Sequence, residues 1–317
     1  MSRRTTVFFA TDLHGSGKCF RKFINAGGVY GAEVLILGGD VAGKALQTIE
    51  LGPDGRYHCR FIGTDHDVEP GPELEALERL IADHGYYPYR AQPGELAARR
   101  ADGSLDALFV ELMHARLTEW LTLADERLRP AGRRLYFMLG NDDPVDLRPL
   151  LDTAPWGIHA EGRVVPIDDE HEMISWGFSN LTPWHSHREQ TEEQLATSLH
   201  GLVRLLADPS RAIVNIHVPP YGSGLDEAPV LDADLRVQQS AGQVKFGPVG
   251  STAVRDLLLE VQPQIGLHGH IHEAAGIRRI GRTVAINPGS DYSTGALNGA
   301  LLTLEKGALK AHQLVRG

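Results

Sequence analysis

Cysteine is nearly absent: Cys19 and Cys59 are the only two in 317 residues. That is too few for a disulfide framework in a chain of this length, and neither belongs to a pair spaced for a metal. Missing too is any run of about 18 consecutive apolar residues, which excludes a spanning helix. The opening residues, SRRTTVFFATD, carry arginines but no apolar stretch of about 7–15 residues and no cleavage-like site, so no secretory or twin-arginine leader is expected. A reducing cytoplasm and no membrane partner follow as expectations. Positive charge is also short. With 31 Lys and Arg against 41 Asp and Glu, the net charge is −10, which disfavours an extended nucleic-acid partner. A short oligonucleotide stays open, because bound metals would supply local positive charge. Small basic clusters, RLRPAGRR at 127–134 and RRIGR at 278–282, read as solvated helix-end or hairpin charges.

What is present is enough apolar material for a substantial core, 42% of residues. The elements alternate as in an α/β fold. CFRKFINAGGVYG predicts a helix after the first strand, and VRDLLLEVQP at 254–263 another late in the chain. ALQTIELGPDGRYHCRFIG predicts a hairpin turning at Pro53-Asp54-Gly55, and residues 73–84 and 104–129 carry helical periodicity.

Five hydrophobic runs stop at polar residues: VFFATDLHG, VLILGGD, RLYFMLGNDD, AIVNIHVPP and IGLHGHIHE. Each run reads as a buried strand, so its polar residue falls at the strand's carboxyl end, where open α/β sheets bind ligands. Asp12 and His14 are two apart, as are His270 and His272, so an extended backbone would send each pair to one side. Gly15, Gly38, Gly39, Gly140 and Gly269 suit tight turns and close backbone approach. Taken singly, an Asp or His at a strand end is more often a cap or a hydrogen-bonded surface group. The set of Asp12, His14, Asp40, Asn141, His217, His270 and His272 offers two carboxylates, one amide and four imidazoles, enough for two metals sharing a ligand.

DLH at 12–14, GGD at 38–40, GND at 140–142, His217 and GHIH at 269–272 resemble, in order, the blocks of the calcineurin-like metallophosphoesterases. GGDVAGKA, GNDDP, HVPPYGSGLD and GLHGHIHE further resemble a poorly characterised prokaryotic branch of predicted phosphoesterases. The resemblance implies an α/β fold with a two-sheet β-sandwich flanked by helices. It implies that Asp12, His14, Asp40 and His272 hold one divalent ion, and that Asp40 bridges to a second held by Asn141, His217 and His270. His268 permits a competing register, but the family places glycine before its first histidine, which favours the pair after Gly269. Asp40, Asn141 and His217 are the expected catalytic positions. Two such ions about 3.5–4 Å apart activate a bridging water for in-line attack at phosphorus. The mixed ligands suit Mn, Fe, Zn, Ni or Co, with Mn favoured.

Two departures from the family pattern stand out. Most members have a histidine after the Gly-Asn and an aspartate three residues beyond the bridging aspartate, where this chain has Asp142 and Gly43. Nearby cations would lower the pKa of Asp142 and oppose a general-acid role, so it reads as a structural carboxylate near the metals. Lys44, His185, His187 and Tyr221 are candidates for protonating or contacting phosphate, against the plainer fates of solvated lysine, loop histidines and packed tyrosine. His268 is a candidate outer partner. Without the usual histidine, a small phosphodiester, such as a nucleotide or cyclic nucleotide, is the expected substrate. A phosphomonoesterase on nucleotides or phosphoproteins, or a catalytically silent metal-binding scaffold, are the alternatives.

Residues 1–317 are expected to form one domain carrying an inserted hairpin and helices at about 45–130, serving as a lid or oligomer contact or else decorating an edge. In SNLTPWHSHREQTEEQL, Trp184 could stack a base and Arg188 pair with phosphate, or Trp184 could pack in its loop with Arg188 paired to Glu192. Asn287 and Ser290 read as turn-fixing residues.

Overall fold

The computed structural model describes residues 4–154, 156–232, 234–240 and 242–317. All five apolar runs form strands, and they divide between two six-stranded sheets. In the first sheet Arg4–Ala10, Val34–Gly38 and Arg134–Met138 run parallel, and the antiparallel hairpin of Asn298–Glu305 and Ala308–Arg316 closes one flank. In the second, Glu172–Trp176, Ile213–Ile216, Ile265–Leu267 and Thr283–Asn287 run parallel between the antiparallel strands Val164–Pro166 and Gly276–Ile280.

Alternation along the strands explains why their runs are apolar without a break. Val7, Phe9, Val34 and Ile36 enter a buried cluster shared with Ile213, Ile265 and Ile286 of the other sheet, so the two sheets face one another. Their neighbours Phe8, Ala10, Leu35 and Leu37 turn outward onto the helices Gly17–Val29 and Leu105–Leu128. Ile174, Val214 and Ile216 do the same on the far side, under Glu192–Val203 and Thr252–Val261. Strands buried on both faces need apolar residues at every position. Each fully buried Phe or Leu contributes ~1.5–3 kcal/mol. The α/β class expected from the sequence is therefore observed. Among the described residues no helix is long and apolar enough to cross a membrane.

Residues 45–128 hold more than the expected hairpin and two helices. Ala45–Leu51 and Tyr57–Phe61 pair as predicted, but Thr64–Val68 and Tyr86–Ala91 extend them to a four-stranded sheet, and Glu95–Asp102 is an additional helix. The missed strands are both at the edges, where polar residues and Pro88 are tolerated. Helix Pro72–Asp83 covers this sheet with Leu74, Leu77 and Ile81 against Ile49 and Phe61.

Candidate metal centre

Because the five strands that carry the candidate residues are parallel within their sheets, their carboxyl ends meet at one edge. Loop geometry then departs from expectation. Asp12, His14, Asp40 and His270 have φ of 55°, 42°, 47° and 67°, so left-handed turns, and not extended backbone, aim these side chains inward. Non-glycine residues held in this region cost roughly 1–3 kcal/mol each and concentrate at functional sites. The Asp12 and Asp40 loops hold one another: Asp12 N–H donates to Gly39 O, His14 N–H to Asp40 O and Gly15 N–H to Val41 O. Two glycines are steric requirements. A Cβ at Gly140 would lie 2.1 Å from Asp40 Oδ1, and one at Gly269 would lie 2.3 Å from Asp12 Oδ2.

The side chains form two groups whose ligand atoms lie within 4.8 Å of one another: Asp12, His14 and His272, and Asp40, His217 and His270. A third overlapping group contains His14, Asp40 and Asp142. His14 Nε2 is 3.0 Å from His272 Nε2, which is 3.4 Å from Asp12 Oδ1. His217 Nε2 is 3.3 Å from Asp40 Oδ2, and the same oxygen is 3.7 Å from His14 Nε2, so Asp40 lies between the groups. Metal–nitrogen bonds of about 2.0–2.1 Å at adjacent positions of one ion bring two imidazole nitrogens to about 3 Å. Two buried side-chain atoms support the fit: Asn141 Oδ1, an acceptor with no partner, and His217 Nε2, which faces only the Asp40 and Asp12 carboxylates. Their other atoms are engaged, since His217 Nδ1 bonds Gly38 O at 2.9 Å and Asn141 Nδ2 donates to Ser186 Oγ at 2.8 Å. Such outer contacts fix the orientation of metal ligands. His268 is in none of the groups; its Nδ1 bonds Ile216 O at 2.8 Å, behind His217.

Charge in the cluster is strongly biased. Burial alone would raise Asp12 and Asp40, but His217 and its neighbours hold both carboxylates below their ordinary range. Burial lowers His14 to about 3 and His270 to about 4, leaving neutral imidazoles suited to coordination. Burial also opposes the charged form of His217, but Asp40 and Asp12 outweigh it and push its pKa up to about 10.

Lys44 Nζ is 2.5 Å from Asp142 Oδ2, and Asp142 N–H donates to Asp40 Oδ1 at 3.0 Å. Tyr221 is 39% exposed and its ring lies under Arg255, while Trp184 is 64% exposed. His185 and His187 are exposed as well. Arg188 contradicts both of its expected roles. It is buried against Glu161, donates to Gly140 O and covers the Phe178 ring. Glu192 instead accepts from Ser251 Oγ and Ala253 N–H at the start of the 252–261 helix. The i,i+4 spacing was a weaker constraint than a buried carboxylate 27 residues back in sequence. Asn287 does fix a turn, accepting from Gly289 N–H, and Ser290 Oγ donates to Asp12 O.

Three supports escaped the sequence. Asp143 is buried and accepts from Val41, Ala42 and Gly140 N–H groups, tying the Asp40 loop to the Asn141 loop. Burial and the Asp40 charge raise its pKa to about 7. Tyr292 places its ring 4.7 Å from that of His14. The 45–128 segment reaches the centre, with Tyr87 OH accepting from Gly43 N–H and Arg116 donating to Gly15 O. The second aspartate of GNDDP was the available signal for Asp143; contacts between residues far apart in the chain gave none for the others.

No family model matches the chain. An uncharacterized protein of Methanocaldococcus jannaschii, MJ1162, is 31% identical over 118 residues, 37% of this chain and 47% of that protein. The chain thus spans about half the length of this curated relative. Among solved structures, TT1561 of Thermus thermophilus has a TM-score of 0.55 at 13% identity, over 99% of both chains. A novel archaeal phosphodiesterase aligns over 99% of this chain and 100% of its own at 11% identity, with a TM-score of 0.36 that is too low to bear on function. These likenesses concern the fold. Fold and site together define a mixed α/β protein whose Asp and His side chains form groups able to hold metal ions.

Proposed function

We propose that this chain is a metal-dependent phosphoric ester hydrolase of the calcineurin-like type, with the two facing sheets corresponding to that family's sandwich and phosphodiesters as preferred substrates. The observation that carries the reading is Asp40 between two His/Asp groups at one strand edge, with His217 Nε2 facing it and the unpartnered Asn141 Oδ1 beside it. One ion would be held by Asp12, His14, Asp40 and His272, and the other by Asp40, Asn141, His217 and His270. When bound, two divalent ions, Mn in the favoured case, supply Lewis acidity toward water and phosphoryl oxygen.

The chain's own groups suggest the substrate preference. Burial alone would lower the Lys44 pKa, but Asp142 and Asp40 outweigh it and hold it above the ordinary value, so the ammonium persists at neutral pH. Lys44 engages Asp142 Oδ2 and the Asn141 amide engages Oδ1, so no imidazole N–H faces a leaving group from this position. A phosphodiester with a good leaving group carries less charge and needs less protonic help than a monoester. Residues 1–317 would act as one unit, with the 45–128 segment as a wall of the site. A small phosphate ester is the proposed partner, and the cytoplasm the proposed location.

The test is hydrolysis of matched aryl monoesters and diesters by metal-stripped protein reconstituted with Mn, with Asp40→Asn alongside. Mn-dependent diester preference, abolished in Asp40→Asn, is expected. Monoester preference would make the chain a phosphatase. Silence toward both with two metals retained would make it a scaffold.

A further inference from the structure

The parallel strands carry the metal loops at their carboxyl ends, and a second feature lies at the opposite end. A cleft of about 470 Å³ opens on the flank where the end strand of each sheet is exposed. Arg279 reaches it from Gly276–Ile280; Lys310 and His312 reach it from Ala308–Arg316; Arg282 adds a fourth basic side chain from the intervening turn.

Strand register explains the convergence. Arg279 lies opposite Val284, which belongs to the cluster between the sheets, so Arg279 faces the gap at its open end. Across the gap, Leu304 pairs with Leu309 and Leu302 with His312, so His312 shares the inward face of Leu302. The register shifts between Thr303 and Leu304, and Lys310 is the residue left without an opposite number. Bulges of this kind re-aim a side chain.

The composition of the lining is selective. In a chain of net charge −10, four basic side chains meet here, and no carboxylate lines the cleft among the described residues. Arg282 is anchored through Gln262 O and Ser210 O. The side chains of Arg279, Lys310 and His312 have no hydrogen-bond or ion-pair partner among the described residues. The unpaired cations of Arg279 and Lys310, gathered at one concavity, repel one another and focus a positive potential. Val284 and Leu309 form an apolar floor that strengthens the field above it. Gln264 also lines the cleft, and its amide nitrogen donates to Gly307 O, which ties the strand Ile265–Leu267 to the Gly307 turn.

We propose that this cleft is an anion site for a small, multiply charged phosphate compound, separate from the metal centre. The volume falls within the range of small-molecule sites, and the paired donors of Arg279 and Arg282 match phosphate oxygens.

Inorganic triphosphate titrated into the metal-stripped chain by calorimetry tests this. One site is expected, weakened at least about tenfold in the Arg279→Ala/Lys310→Ala double variant and weakened by added salt. Asp40→Asn should bind as wild type does, which separates this site from the proposed catalytic one. All these basic residues are exposed, and Arg279→Gln provides a milder variant if the double substitution disturbs the edge strands. Absence of binding at millimolar triphosphate, equal affinity in wild type and the double variant, or loss of binding in Asp40→Asn would each overturn the proposal.

Discussion

Gly43→Ala is expected to damage this protein more than its size suggests. A Cβ at position 43 would lie 2.1 Å from Gly85 O, 2.9 Å from Tyr87 Cε2 and 3.1 Å from His14 O. An ordinary carbon–oxygen contact is about 3.3 Å, so the 45–128 segment would have to retreat by roughly 1 Å from the metal loops. Overpacking of this kind costs about 1–3 kcal/mol. The retreat also strains the bond from Gly43 N–H to Tyr87 OH, now 3.0 Å, worth about 0.5–1.5 kcal/mol. Together these give roughly 2–4 kcal/mol, or a fall in Tm of about 3–6 °C for a chain of this size. His14 is part of the strained contact, so metal content after reconstitution should fall as well. Gly201→Ala is the control: this exposed glycine lies inside a helix with nothing within 4 Å of its Cβ direction, so alanine should stabilise by about 0.5–1 kcal/mol. Calorimetric scans of the two variants and wild type decide the matter. A Gly43→Ala protein melting within about 1 °C of wild type, with full metal content, would refute the reasoning. An aspartate at position 43 would meet the same obstruction and also bury a charge.

Replacing Asp142 with histidine removes the Lys44 partner and supplies an N–H donor; monoester hydrolysis should rise at least about tenfold relative to diester hydrolysis, and an unchanged ratio would remove the leaving-group argument. In the metal-free chain the His217 pKa near 10 means that an imidazolium proton must leave before the nitrogen can coordinate. Metal affinity should therefore climb between pH 7 and about 9, with proton release visible as a buffer-dependent enthalpy; a flat profile contradicts it. The same raised pKa contributes stability to the metal-free fold that is complete below about 6.5 and lost as pH rises through about 10. Arg188→Ala leaves Glu161 buried without its cation, so urea denaturation should register a loss of about 3–5 kcal/mol; a loss under about 1 kcal/mol would mean that water or His159 compensates.

The sequence by itself determined where the chemistry lies along the chain. Runs such as VLILG and LYFM are apolar at every position because their strands are covered on both faces, and the polar residue ending each run marks the strand's carboxyl end. Helical periodicity located Pro72–Asp83 and Leu105–Leu128, each a local pattern of one face. The tertiary structure decided how those ends become a site. Left-handed backbone at Asp12, His14, Asp40 and His270 is held by bonds between loops and has no signature at non-glycine residues. Gly269 already favoured His270 over His268 in the sequence, and the packed chain shows which ring enters the cluster. Asp143 joining two loops, Arg188 finding Glu161 instead of Glu192, and Gly85 pressing on Gly43 are contacts between residues distant in the chain. Local propensity cannot encode them, because their free energy exists only once the strands have packed.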